Sequence, residues 1–230
     1  MTDRQGQLLD FIIKEYVKTA RPVGSALVAE KGGFDLSPAT LRNEMYELKE
    51  KGYLEQLHTS GGRVPTDKAY RYFVKKLIKE QEFSPALNDK KSINQAIHNS
   101  DDDPREINKN IAQALSDLSD NLVITGITDE DDFYKTGLSS LFESPEFREL
   151  DKVFRMTSFF DEFDRMFSRI EEEFFGESDA KNYIVDLNIF IGRENPMGLV
   201  RDETVICSKY FLPHNYKGSL TMIGPKRMNY

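Results

Sequence analysis

Between Asp3 and Thr19, Leu8, Leu9, Ile12, Ile13, Tyr16 and Val17 recur at helical period and predict an amphipathic helix. Arg21-Pro22-Val23-Gly24 interrupts the pattern, and Ser25 to Lys31 reads as a short second helix before the turn at Gly32-Gly33. A third helix is predicted to begin after Ser37, whose side chain can cap it. Pro38 then falls in the first turn, where no backbone donor is lost. Leu41, Met45 and Leu48 share its inward face, and Gly52 suits a left-handed cap. The pattern then changes. Tyr53 to Leu57 reads as extended, and Ser60-Gly61-Gly62-Arg63 as a tight hairpin turn. Thr66 or Asp67 starts a further helix through Tyr70, Phe73, Val74, Leu77 and Ile78.

A capped third helix followed by a glycine hairpin has the order of a winged helix-turn-helix. In that arrangement the helix enters the DNA major groove and the wing follows the neighbouring backbone. With Leu41, Met45 and Leu48 inward, Ala39, Asn43, Tyr46, Glu47 and Glu50 point away, and Thr40 and Arg42 lie on the flanks. The groove receives the N-terminal half of such a helix, which makes Thr40, Arg42 and Asn43 the candidate base readers and Ser37 their cap. Arginine suits guanine, asparagine suits adenine, and a threonine methyl suits thymine. In and after the wing, His58, Ser60, Arg63, Lys68 and Arg71 are the candidate backbone contacts.

The remainder reads as α+β. Residues 80–103 are polar, contain Ser84-Pro85 and Asp101-Asp102-Asp103, and are expected to be a linker with at most a short helix near Ile93 to Ile97. Asp103-Pro104 starts a helix with Ile107, Ile111, Leu115 and Leu118 on one face, and Glu106 is placed for a capping-box role. Asn121 to Thr128 is a buried strand. One helix is expected from Ser144 through Phe154, and a second from Ser158 to Phe175. Strands are expected at Tyr183 to Ile191, Glu203 to Leu212 and Gly218 to Ile223. The first two would form an antiparallel pair with a long loop, Gly192 to Asp202. The core would hold about four strands and three helices.

The net charge of −8 divides unevenly: residues 1–79 carry 14 Lys/Arg against 10 Asp/Glu, and the rest 17 against 29. This asymmetry assigns any nucleic-acid surface to the N-terminal part. A single cysteine, Cys207, excludes an internal disulfide and reads as a buried thiol in a reducing, cytoplasmic protein. No apolar run suits a membrane span or signal peptide. His58, His98 and His214 lack metal-ligand spacing, and no phosphate-binding glycine motif occurs. Neither catalysis, a metal nor a cofactor is expected.

The run VGSALVAEKGGFDLSPATLRNEMYELKEKGYLEQLHTSGGRVPTDKAYRYFV closely resembles the N-terminal domain of the HrcA-type heat-inducible transcription repressors. GLSSLFESPEF (137–147), IGREN (191–195) and IGPKRMNY (223–230) resemble that family's C-terminal signatures in order. The resemblance implies a winged helix-turn-helix over 1–79, a linker over 80–103 and a GAF-like α/β domain with an antiparallel sheet over 104–230. That domain is reduced, because Ile124 passes to Gly137 with almost nothing between, where the family carries an inserted dimerising domain. It further implies a repressor that binds an inverted repeat of double-stranded DNA before chaperone operons and is released on heat stress, with a GroEL-type chaperonin keeping it active.

A homodimer through 104–230 is expected, since one winged helix reads few base pairs. The ring-rich segment Phe154 to Phe175, with Phe159, Phe160, Phe163, Phe167 and Phe174, is its candidate interface. Packing of these rings inside their own domain is the other reading. For the whole chain the alternative is a ligand-sensing or protein-interaction module whose winged helix contacts protein.

Overall fold

The computed structural model describes residues 1–57, 61–80, 86–98, 100–130, 132–165, 174 and 187–230, without the side chains of 164 and 165. It divides into two compact units: Met1–Phe83 with Arg227–Tyr230, and Ser84–Lys226.

The first unit holds α1 (Asp3–Thr19), α2 (Ser25–Lys31), α3 (Pro38–Glu50), a two-stranded sheet of β1 (Leu54–Glu55) and β2 (Val64–Pro65), and α4 (Asp67–Glu80). Thr2 caps α1 in a reciprocal box with Gln5. Leu8, Leu9, Ile12 and Ile13 are fully buried with Val28, Leu41, Leu48 and Tyr70, as the helical pattern requires. Arg227–Tyr230 pack against this unit as well. The Arg227 guanidinium donates to the Val17 carbonyl at 3.2 Å, Met228 is buried, and the Tyr230 ring lies 6.1 Å from that of Tyr70.

In the second unit, α5 (Leu87–His98) precedes α6 (Pro104–Ser119), and a five-stranded antiparallel sheet has the order β4-β3-β7-β6-β5. The strands are β3 (Leu122–Ile127), β4 (Asp132–Thr136), β5 (Asn188–Ile191), β6 (Glu203–Phe211) and β7 (Lys217–Pro225). Every residue of β3 is buried, because both faces of the sheet are covered. On one face Thr125 donates to the Asn108 carbonyl of α6 at 3.0 Å, and Asn108 returns a bond to Gly126 at 3.0 Å. On the other, Leu122 and Ile124 join a core with α7 (Leu138–Glu143) and α8 (Leu150–Arg165).

Several expectations are corrected. Residues 87–98 of the expected linker are helical, a longer helix than Ile93 to Ile97. That helix lies beside α6 with no buried residue of its own, so it carries no apolar period to read. The stretch from Ile124 to Gly137 holds the rest of β3 and all of β4, so the described residues of this unit carry five strands where about four were expected. The expected helix break near residues 154–158 is absent: a 3-10 turn at Pro145–Arg148 ends at Glu149, which is extended (φ −83°, ψ 120°), and α8 is continuous from Leu150. Asp103 caps α6 by accepting from the Arg105 amide at 2.9 Å, a single bond rather than a box with Glu106.

Phe159, Phe160, Phe163 and Phe174 are buried inside the second unit, so the ring-rich interface is overturned for them. The sheet supplies the apolar partners that one helix alone lacks. Phe167 and Phe175 lie outside the described residues, as do Tyr183 and Val185 of the expected strand; Leu187 is described but exposed and outside β5, which starts at Asn188.

β5 and β6 pair antiparallel as expected. The loop between them is pinned from inside. The Asn195 amide nitrogen reaches the carbonyls of Gly192, Val200 and Glu203 at 2.8–2.9 Å. Cys207 is a buried thiol. Glu203, 4 % exposed at the start of β6, is the unusual group here. Burial, helped by the negative charge of Asp202, pushes its carboxyl up from 4.5 to about 7. A carboxyl that binds its proton more tightly when folded stabilises the fold most at low pH. That contribution fades as pH rises from about 4.5 to 7. The difference in stability between the protein and Glu203→Gln, from denaturant titrations across this window, should change by up to about 3 kcal/mol. A difference independent of pH would show that Glu203 titrates normally.

Candidate nucleic-acid interface

The face available to DNA is built from α3 and the wing. Ser37 caps α3, its hydroxyl accepting from the Thr40 amide at 3.2 Å and lying 3.0 Å from the Thr40 hydroxyl. At the far end Gly52 is left-handed (φ +76°). Its amide bonds to Lys49 and that of Tyr53 to Leu48, the paired bonds of a Schellman ending. Leu41, Met45 and Leu48 are buried, which leaves Thr40, Arg42 and Asn43 exposed near the start of the helix.

Glu44 is held on the inner side by polar groups rather than by apolar packing. It is 8 % exposed, pairs with Arg4, and accepts from the Gln5 amide at 3.0 Å. The Gln5 bond, with Arg4 beside it, keeps the Glu44 carboxyl below its ordinary range despite burial. Gln5 also donates to Glu47 at 2.7 Å and accepts from Lys51 at 2.7 Å. One residue of α1 thereby ties down the second half of α3, while Arg4 and Lys51 offset the charges of Glu44 and Glu47.

The wing is anchored at its root. Val23 and Arg63 exchange backbone bonds of 2.9 and 2.8 Å, so the turn between α1 and α2 supplies a third strand-like partner. Gly62 is required for this approach: a Cβ there would stand 2.6 Å from the Pro22 carbonyl carbon and 2.7 Å from Val23. The sequence signals for this were slight, a lone apolar Val23 between a proline and a glycine.

Arg42 and Arg63 line one cleft of about 470 Å³ between α2, α3 and the wing root, with Ser25, Gln56 and Gly62 among its neutral walls. Asn43 lies outside it. Lys68 is elsewhere. Its ammonium donates to the Lys51 carbonyl at 2.7 Å and lies 4.5 Å from the Tyr53 ring, closing the C-terminal end of α3, roughly 16 Å along the axis from Thr40. Arg71 follows it on α4, half-buried and engaged with neighbours. His58 and Ser60 lie outside the described residues. The structure thus brings Arg42 and Arg63 to one cleft and Ser37 against Thr40, leaves Asn43 exposed on α3, and places Lys68 at the far end of that helix.

Among the described residues, no helix is long and apolar enough to cross a membrane. Residues 1–79 match the family described as winged helix-turn-helix transcription repressor, HrcA DNA-binding, and residues 57–230 match the HrcA protein C terminal domain. The chain is 52 % identical over 84 residues to the heat-inducible transcription repressor HrcA of Symbiobacterium thermophilum, covering 36 % of this chain and 25 % of that protein. It is 40 % identical over 119 residues to that of Acetivibrio thermocellus, covering 52 % and 33 %. The match therefore spans a quarter to a third of the length of these relatives. A solved structure of a hypothetical protein superposes with a TM-score of 0.81 at 20 % identity, over 100 % of this chain and 93 % of that one, and shares the fold. With the two matches together covering residues 1–230, and the C-terminal one alone more than half of them, the chain belongs to the HrcA family of winged helix-turn-helix transcription repressors.

Proposed function

We propose that this chain represses heat-shock chaperone operons by binding an inverted repeat of double-stranded DNA, and leaves its operator on heat stress. Residues 1–79 are the DNA-binding domain, and the second unit, Ser84–Lys226, is the regulatory and dimerising domain of a cytoplasmic homodimer, with a GroEL-type chaperonin as a further partner. The observation that carries the reading is the exposed N-terminal face of α3 beside an anchored wing, in a chain of this repressor family. The proteins it matches are named heat-inducible repressors, which supports the heat response. Dimerisation follows from the short reach of a single winged helix. With the phenylalanine core buried, Leu150 and Phe154 on the outer side of α8, 71 % and 65 % exposed, are the apolar groups left there for it.

Asn43→Ala tests the reading. Loss of a bidentate adenine contact removes roughly 1–3 kcal/mol of discrimination. In a competition assay the specific duplex should weaken by about tenfold while random duplexes bind as before. Equal weakening of both would take Asn43 out of base reading.

A further inference from the structure

Arg42 and Arg63 reach the same cleft from different elements, one from α3 and one from the wing root. Among the described residues neither forms an ion pair, and the buried Nε of Arg63 has no hydrogen-bond partner. An unmet guanidinium donor shut away from water costs free energy, and a second guanidinium in the same cleft adds repulsion. The residues lining the cleft include no carboxylate, so nothing there relieves either cost. An entering anion would offset the repulsion between the two guanidinium groups. The other lining residues are uncharged, and the cleft, about 470 Å³, has room for a phosphate group. The wing root is fixed by the Val23–Arg63 bonds and α3 by the Gln5–Glu44 cluster, so the two arginines are held ready for one anion.

We propose that this cleft is the seat of a single DNA backbone phosphate, clamped between Arg42 and Arg63, and that Arg42 is therefore a positioning residue rather than a base reader. The proposal rests on the DNA-binding function above. It divides the exposed face of α3: Asn43 and Thr40 read bases, while Arg42 turns to the wing and sets the depth and angle at which the helix enters. A guanidinium fork suits this task, since two N–H groups can grip phosphate oxygens at once.

The test is a scan of operator duplexes in which one phosphate at a time is replaced by an uncharged methylphosphonate, with the full-length chain as the binder. For the wild type, one position per bound winged helix should lose about tenfold or more in affinity through the Arg42–Arg63 clamp, as expected for charge-assisted bonds. In Arg42→Ala, and separately in Arg63→Ala, that same position should become nearly insensitive, with base preference unchanged. Arg63→Gln, which keeps an amide in the cleft, serves as the second neutral variant if truncation loosens the wing. Sensitivity lost at two different positions, one for each arginine, would overturn the shared seat. So would an altered base preference in Arg42→Ala. Wild-type protein that binds no duplex would instead remove the DNA-binding reading, and the seat with it.

Discussion

Phe159→Ala should destabilise the second unit by about 3–5 kcal/mol, the largest single effect expected of any substitution considered for this protein. The ring is fully buried, stands 5.7 Å from those of Phe160 and Phe163, and closes the core formed by Leu122, Ile124, Val205 and Ile223. Its removal leaves a cavity under a central sheet that cannot collapse without moving paired strands. Phe154→Ala, five residues earlier and exposed, should change stability by no more than about 0.5 kcal/mol. Denaturant unfolding of the full chain reads both, and light scattering on the same samples reads association. A small effect at Phe159 accompanied by loss of association would return these rings to an interface. A loss of association at Phe154 alone would place the interface on the outer side of α8.

The second large effect belongs to the wing. Gly62→Ala puts a methyl group 2.6 Å from backbone atoms of Pro22, and both partners are main chain, so the paired bonds between Val23 and Arg63 must open. Overpacking of this kind costs about 1–3 kcal/mol, which the well-packed helices should survive. The consequence for binding should be greater, because the wing root and Arg63 move together. We expect duplex affinity to fall tenfold or more for operator and random sequence alike, with circular dichroism unchanged. Retained affinity would show that the anchored wing is dispensable.

Local signals made the first unit legible. Ser37 and Pro38 at the start of α3, Gly52 at its end and the stripe of α1 each act within a turn of chain, and the structure has them where the pattern puts them. What escaped depends on partners distant in sequence. Val23 becomes strand-like only because Arg63 arrives opposite it, and Glu44 is tolerated inside only because Gln5 and Arg4 meet it. Lys68 reads as a free basic residue in sequence, yet its ammonium is held by Lys51 and Tyr53. In the second unit the phenylalanines looked too numerous for one helix because the sheet they cover is assembled from strands on both sides of them in sequence. α5 showed in the sequence only as a short stretch near Ile93 to Ile97, because it has no buried residue to impose a longer apolar pattern.

Selection of random duplexes by the purified full-length protein, followed by sequencing of the retained pool, tests the central claim most directly. The account predicts an enriched inverted repeat whose half-sites are separated by a fixed spacing, and a selection that weakens at the half-site bases when Asn43 is replaced by alanine. A pool with no enriched motif, from protein shown to be folded, would contradict it.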